Sequence, residues 1–568
     1  MDIRAESHSV SLRPAAPRAP RQAQAEDTAA PENGWRGLLY ERFREQSKPL
    51  VAFDRETIMP AASLWTGARA WTHVFRSAGL TAGDRLVVSL PPSPAFLQIL
   101  LAALWDRLTL ALLPPRGGTS SVGLPPFVEL LDARGAIATE ASEAAWTADP
   151  AGNPIEGALP LRPATGPPTP DARLLLRTSG TTGTGPHGRG RWIALSDPNI
   201  WAVLRSHGPK LSRDRATRVL SVLPWHHAFG LIIDLLPALL GGATVIRDPA
   251  GGRDTEQLLH HGRRWSVTHC SMVPLTAKRL AATPAGRTFL QGLEGGVIGG
   301  AAVPRALADV LSATRLRAGY GQTEASPGIA LGAPGDWECH YLGQPLGCEV
   351  RISDSGELLF RGANACLGAW EHGRLHRFPP GRWVATGDLA RLRDQDTYRG
   401  ENTSRGKDVS RGKDVSRGKD TTTCAASQGL VFCGRVNDVF KLANGRAVTA
   451  AHWEDRLRGA FDAIQQVMLW RTAGGNLGLA LTAEVPPDRA ALKKSLGRLA
   501  HYLTCIRFLP RSAWKMTGKG SLDRARMTQF LNQERLPAQA DTPPRTDGWS
   551  EKHGAPEKHS SSEEKTVS

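Results

Sequence analysis

Two stretches of this chain combine hydroxyls with glycines: Thr178-Ser179-Gly180-Thr181-Thr182-Gly183 and, far downstream, Gly319-Tyr320-Gly321-Gln322-Thr323-Glu324. Such runs can offer hydroxyls and backbone N–H groups to phosphate oxygens, and glycine lets the main chain approach closely. The residues just before the first stretch, Ala172 to Arg177, read as a short apolar strand. The loop therefore sits at a strand's carboxyl end, where α/β sheets bind ligands. A Walker-type nucleotide loop does not fit. Gly180-x4-Gly185 is followed by Pro186-His187, and Gly183-x4-Gly188 by Arg189-Gly190, so neither register supplies the lysine and hydroxyl.

Strands and helices alternate around these loops. Asp84 to Leu90 is strand-like, and Ser93 followed by Pro94 opens an apolar helix that runs to Trp105. Leu220–Leu223 and Ala243–Ile246 flank a second apolar helix, and Ser266–His269 begins another strand. This order predicts a mostly parallel sheet. Gly429–Phe432 reads as a strand, and a smaller module follows, with a helix from Arg489 to Leu503 capped by Asp488.

With 568 residues, 41% hydrophobic and 22% charged, the chain has room for two or more domains. Its longest central apolar run, Leu231 to Leu240, is interrupted by Asp234 and Pro237 and is too short to span a bilayer. Seven scattered cysteines without a Cys-x2-Cys pair argue against a zinc site or a disulfide framework and predict a cytoplasmic setting. The net charge of +16 is spread along the chain, and aromatics, at 6%, are not interleaved with basic residues. Sequence-specific nucleic-acid binding is not expected. Affinity for ATP, an acidic carrier or polyanions accounts for the charge equally well.

Residues 1–34 are rich in Ala, Pro, Arg and Gln, and residues 536–568 are again polar, so both are expected to be disordered. Within 400–428, Ser-Arg-Gly-Lys-Asp occurs three times with period six, from Ser404 to Asp420, and reads as a flexible surface loop.

Taken in order, these segments resemble the adenylate-forming superfamily of acyl- and aryl-CoA synthetases, carrier-protein ligases and peptide-synthetase adenylation domains. The likeness covers roughly residues 36 to 530 and lies in the collinearity of many short motifs. Thr178–Gly183 looks like the family's phosphate loop. Pro224-Trp-His-His-Ala-Phe-Gly230 looks like the segment that places His227 on the acyl pocket. Gly299-Gly300-Ala301 looks like the small-residue turn beside the adenine site, and Tyr320-Gly-Gln-Thr-Glu324 matches the strongest signature. Gly356–Gly362, Thr386-Gly-Asp388 and Gly434-Arg435 continue the series. The resemblance implies an α/β fold: a large multi-sheet N-terminal domain (35–434) and a smaller, mobile α+β C-terminal domain (435–535). It implies that Tyr320 stacks on adenine, Thr323 touches the α-phosphate, and Glu324, with Thr181, holds Mg²⁺. Asp388 would accept from the ribose hydroxyls, with Arg435 nearby. These roles suit attack of a carboxylate oxygen on the α-phosphorus of ATP, where preorganised donors, cations and magnesium meet developing charge.

The chain departs from the family at three places. Where a lysine follows the phosphate loop, the count back from Leu195-Ser196 places Arg191, which keeps the charge but not the geometry. The hinge carries Asn437 in place of Asp or Lys, and Gly445 downstream would wall the thiol tunnel. In the closing frame Thr517-Gly-Lys-Gly-Ser-Leu-Asp-Arg524, Ser521 stands where the family has its catalytic lysine, and Lys519 lies two positions earlier. A small loop shift would bring Lys519 into the site; otherwise the protein is a weak or inactive homologue that binds or scaffolds. No acid lies within Trp225–Gly230, so a fatty or aromatic carboxylic acid is expected rather than an α-amino acid. With no carrier or reductase module visible, the acceptor would be coenzyme A or the phosphopantetheine of a separate acyl carrier protein.

Overall fold

The apolar stretch after Ser93 folds as its residues dictate. Ser93 caps the helix Pro94–Trp105, its hydroxyl accepting from the Phe96 N–H at 3.3 Å. Every residue from Pro94 to Leu104 is buried, so this helix lies inside the largest apolar cluster. The protein is described by a computed structural model over residues 34–533, apart from 45–49, 54–56, 116–122, 141, 143, 164, 179–190, 372, 394–428, 442–446 and 517–521. The arm up to residue 33, the repeat at 404–420 and the tail from 534 lie outside these described residues.

Two large sheets dominate, one of nine strands and one of eight. In the first, Arg85–Ser89 pairs in parallel with Thr109–Leu112 and Gly135–Ala138, and Thr109–Leu112 with Ala172–Arg177. Beyond that centre, Trp192–Ser196, Gly368–Glu371 and Arg374–Arg377 add antiparallel. In the second, only Val297–Gly299 and Arg317–Tyr320 are parallel; the strands that follow run antiparallel. The expectation of a mostly parallel sheet is thus corrected to a mixed one. Neighbours close in sequence, such as Glu349–Ile352 and Glu357–Arg361, pair antiparallel, whereas parallel pairs need a crossover.

A four-stranded sheet contains the parallel pair Arg218–Ser221 and Thr244–Arg247. The helix between them begins with seven π-wound residues, Phe229–Leu235, before the α-helical turn Leu236–Gly241. Pro237 has no N–H to give the Ile233 carbonyl, which would otherwise be its helical partner. The buried Arg213 guanidinium donates to that carbonyl at 3.2 Å, and to the Asp234 carbonyl and carboxylate beside it. The strand expected at Ser266–His269 reduces to isolated bridges at His269 and Met272.

Toward the C-terminus, Ile464–Arg471, Leu477–Ala483 and Leu503–Phe508 form a three-stranded sheet, and Val439–Lys441 pairs with Ala447–Thr449. The helices Ala450–Ala460, Arg489–Leu496 and Arg524–Gln533 pack here, and two apolar clusters draw only on residues from 448 onward. Asp488 caps its helix as expected, accepting from the Ala491 N–H at 2.9 Å. That helix ends at Leu496 rather than Leu503, because Gly497, at φ 53°, turns the chain into a 3-10 segment and then a strand.

Candidate active site

The parallel pair in the eight-stranded sheet sets the register Gly299↔Gly319, which brings Gly300 and Ala301 beside Tyr320. Gly300 has φ +85°, a backbone conformation that side chains other than glycine's resist. After Tyr320 the chain turns through a 3-10 segment at Thr323–Ala325 and returns antiparallel, Tyr320 opposite Ala330. That hairpin is tight: a Cβ on Gly321 would lie 1.4 Å from the Pro327 carbonyl oxygen. Gly321→Ala is therefore expected to destabilise the fold by about 3 kcal/mol, at the upper end for overpacking. Thermal unfolding measures this, and an unchanged midpoint would contradict the tight turn.

Three sequence-distant residues meet at one point. The Tyr320 hydroxyl donates to Asp388 Oδ2 at 2.8 Å, and Arg435 Nε lies 3.2 Å from Asp388 Oδ1. Asp388 sits on Val384–Leu392, opposite Arg435 on Leu430–Arg435. Thr386 Oγ1 accepts from the Asp388 N–H at 3.1 Å and donates to the Leu358 carbonyl at 2.7 Å, which fixes the turn. Burial raises the Asp388 carboxyl above its ordinary range, against the opposing pull of Arg435 and the Tyr320 hydrogen bond. The Tyr320 phenol is also pushed well up, first by burial and then by Asp388. Both groups hold their protons more firmly than they would in water.

Glu324 occupies the adjoining turn, where the two large sheets touch. Its carbonyl accepts from the Cys366 N–H at 2.8 Å, and the Leu367 N–H donates to Ala194 on the nine-stranded sheet at 3.0 Å. Burial raises the Glu324 carboxyl, while a local backbone hydrogen bond and the fields of Arg191 and Arg382 lower it. A carboxylate whose charge is disfavoured by burial is well suited to a divalent cation. Among the described residues there is no group of three or more His, Cys, Asp or Glu side chains that could hold a metal by themselves.

Thr178 and Arg191 flank the segment expected to bind phosphate. The Thr178 N–H donates to the Arg191 carbonyl at 2.8 Å, and the Arg191 N–H to Thr178 Oγ1 at 3.0 Å. The Arg191 side chain pairs with Glu371 at 2.8 Å. Ser179, Gly180, Thr181, Thr182 and Gly183 lie outside the described residues, as do Gly445, Lys519 and Ser521. His227 stacks near His226, ring centroids 4.4 Å apart. Burial, the neighbouring His227 and Arg247 push His226 down to about 3, so it is neutral at physiological pH. Asp234, the acid in the π-wound turn that follows, is fully buried and bound to Arg213 at 2.9 Å.

The sequence reading passed over Arg382, because the turn between Arg374–Arg377 and Val384–Leu392 carries no motif of its own. Glu454 was equally silent. This buried acid receives Arg524 through both oxygens, at 2.6 and 3.1 Å, and Arg524 also reaches Asp438 at 3.3 Å.

The family model for AMP-binding enzymes matches residues 42–370, and the chain belongs to that family. It is accordingly an ATP-dependent, adenylate-forming acid–thiol ligase. Feruloyl-CoA synthase of an Amycolatopsis species is 30% identical over 355 residues, spanning 57% of this chain and 69% of that protein. Sulfoacetate–CoA ligase of Cupriavidus necator is 29% identical over 280 residues, 43% of this chain and 51% of its own length. Among solved structures, ATP-bound MatB from Rhodopseudomonas palustris shares the fold at TM-score 0.66 and 18% identity, covering 88% of this chain and 99% of that one. The o-succinylbenzoate CoA synthetase of Bacillus subtilis, in complex with its acyl-adenylate intermediate, gives 0.64 and 17%, covering 88% and 98%. Among the described residues, no helix is long and apolar enough to cross a membrane.

Proposed function

We propose that the chain activates a fatty or aromatic carboxylic acid, with Tyr320, Asp388 and Arg435 gripping the adenosine of ATP and Glu324 holding its magnesium. The observation that carries this reading is the junction of Tyr320, Asp388 and Arg435 within 3.2 Å contacts, from three segments far apart in the chain. An ionised Asp388 can accept both ribose hydroxyls, as acidic residues do in dinucleotide sites. Gly300 and Ala301 supply a wall without bulk, Gly319 and Gly321 the close backbone, and Thr323 a hydroxyl for the α-phosphate. The metal would neutralise charge as the carboxylate oxygen bonds to the α-phosphorus and pyrophosphate leaves.

The loop Thr178–Gly183 would cradle the outer phosphates, with Thr181 beside the metal and Arg191 at its base. The neutral His226, with His227 beside it, fits the acyl side of the site. Asp234 is already engaged by Arg213, so it does not stand ready to hold an ammonium group, which supports an acid without an α-amine. The feruloyl-CoA synthase relative favours an aromatic acid, and its thiol acceptor favours coenzyme A over a separate acyl carrier protein. Gly445 would face that thiol, and Lys519 would bridge carboxylate and phosphate. The six described cysteines are free, which suits a reducing cytoplasm.

Pyrophosphate exchange with a panel of fatty and aromatic acids tests the reading, and Lys519→Ala tests the residue placed at the reacting oxygen. Exchange with an aromatic acid that collapses in Lys519→Ala is the expected outcome. Exchange with none of the acids, from folded protein, would leave an inactive, binding or scaffolding homologue.

A further inference from the structure

Arg191 stands where sequence counting expects the cation of the phosphate loop, yet its guanidinium is engaged by Glu371 at 2.8 Å. Another arginine is placed differently. The strand Gly368–Glu371 begins just after Cys366, whose N–H donates to the Glu324 carbonyl at 2.8 Å. The next residue, Leu367, accepts at its carbonyl from the Phe378 N–H at 2.9 Å. On the Phe378 ring lies the guanidinium of Arg382, 3.9 Å from the centroid. Two backbone hydrogen bonds and one stacking contact thus tie Arg382 to the turn that carries Glu324. Among the described residues Arg382 has no recorded carboxylate partner, unlike Arg191, Arg377 and Arg435. Its field reaches the Glu324 carboxylate, and it also hydrogen-bonds the Cys366 thiol.

We propose that Arg382 is a further catalytic residue of the adenylation step, binding the β- and γ-phosphates of ATP and then the departing pyrophosphate. This rests on the nucleotide site described above. A stacked guanidinium is pre-organised, so it loses little freedom on binding, and its fork suits two phosphate oxygens at once. In the step, a bond forms between the carboxylate oxygen and the α-phosphorus. The bond from that phosphorus to the bridging oxygen breaks, and the electron pair departs on pyrophosphate with no proton transferred. Arg382 meets the charge that accumulates on the leaving group. Arg191, held by Glu371, braces the loop base.

The test compares affinity for ATP, pyrophosphate and AMP in wild type, Arg382→Ala and Arg382→Lys by calorimetry with magnesium. AMP lacks the two outer phosphates and serves as the internal check on folding. Loss of one charge-assisted phosphate contact should weaken ATP and pyrophosphate about 10- to 100-fold in Arg382→Ala. AMP affinity should be unchanged, and lysine should recover part of the loss. Capture of a synthetic acyl-adenylate by thiol should keep its wild-type rate. Equal losses for ATP and AMP, or no loss for either, would overturn the assignment to Arg382 while leaving the nucleotide site in place. Wild-type protein that binds neither nucleotide would remove both the site and this role.

Discussion

Asp388→Ala is expected to lower kcat/KM for ATP in pyrophosphate exchange by about 100-fold or more, since hydrogen bonds to a charged group contribute about 1.5–3 kcal/mol each. The side chain does two jobs at once. It accepts from Tyr320 at 2.8 Å and pairs with Arg435 at 3.2 Å, and in the proposed complex it accepts from ribose as well. Removing it leaves the half-buried Tyr320 hydroxyl without this acceptor and breaks the Arg435 ion pair. Asp388→Asn keeps the shape and one acceptor but loses the charge, so its defect should be intermediate. The pH profile gives a second readout. Burial raises the Asp388 carboxyl, so the ionised form needed for ribose is lost as pH falls through a value above the ordinary carboxylate range. The acid limb of kcat/KM for ATP should therefore lie above that range and disappear in Asp388→Asn. Wild-type ATP dependence in Asp388→Ala would refute the grip on adenosine.

Arg524→Ala should cause the largest loss of stability, about 3–5 kcal/mol, the usual cost of removing one partner from a buried ion pair. Its Glu454 partner is 4% exposed and receives Arg524 at 2.6 and 3.1 Å, while one oxygen also accepts from the Leu469 N–H at 2.7 Å. Burial already raises the Glu454 carboxyl, and Arg524 is the first influence opposing it. Without the arginine, its folded-state value rises further above the unfolded one. The penalty is then greatest at neutral pH, where Glu454 must be charged or take up a proton. It eases as pH falls through that raised folded-state value and is gone below the unfolded-state one. Denaturant unfolding at neutral and acidic pH measures both. Glu454→Gln in the Arg524→Ala background should recover much of the loss, because a neutral amide keeps an acceptor for Leu469 without an unpaired charge. A single variant as stable as wild type at neutral pH would show that the triad with Asp438 contributes nothing to the fold.

The parts of this molecule legible in sequence are those governed by near neighbours. Ser93 and Pro94 set a helix start that the fold reproduces, because an N-cap and a first-turn proline act within one turn. The signatures at Tyr320, Asp388 and Arg435 named residues that do converge, although their contact depends on strand pairing across the eight-stranded sheet. What sequence did not show is long-range in origin. The antiparallel pairings of both large sheets follow from which strands become neighbours, and strand propensity carries no such information. Arg213 rescues a carbonyl at Ile233, 20 positions away, so the π-wound turn had no local signal. At Gly497 the reverse holds. A helix-ending glycine is present in the sequence, inside the span Arg489–Leu503 expected to form one helix. Arg382 sits in a turn without a motif, and only its stacking on Phe378 reveals it.

Arg435 ends the strand Leu430–Arg435, and Asn437 lies two residues beyond in a short 3-10 turn. If Asn437 is the hinge that the family resemblance implies, the backbone that presents a guanidinium to Asp388 leads straight into it. In that proposal, holding the sugar and swinging the C-terminal portion would be one coupled equilibrium. Thermodynamic linkage is reciprocal. Whatever factor a fixed swing angle contributes to AMP retention, bound AMP must return to the preference for that angle.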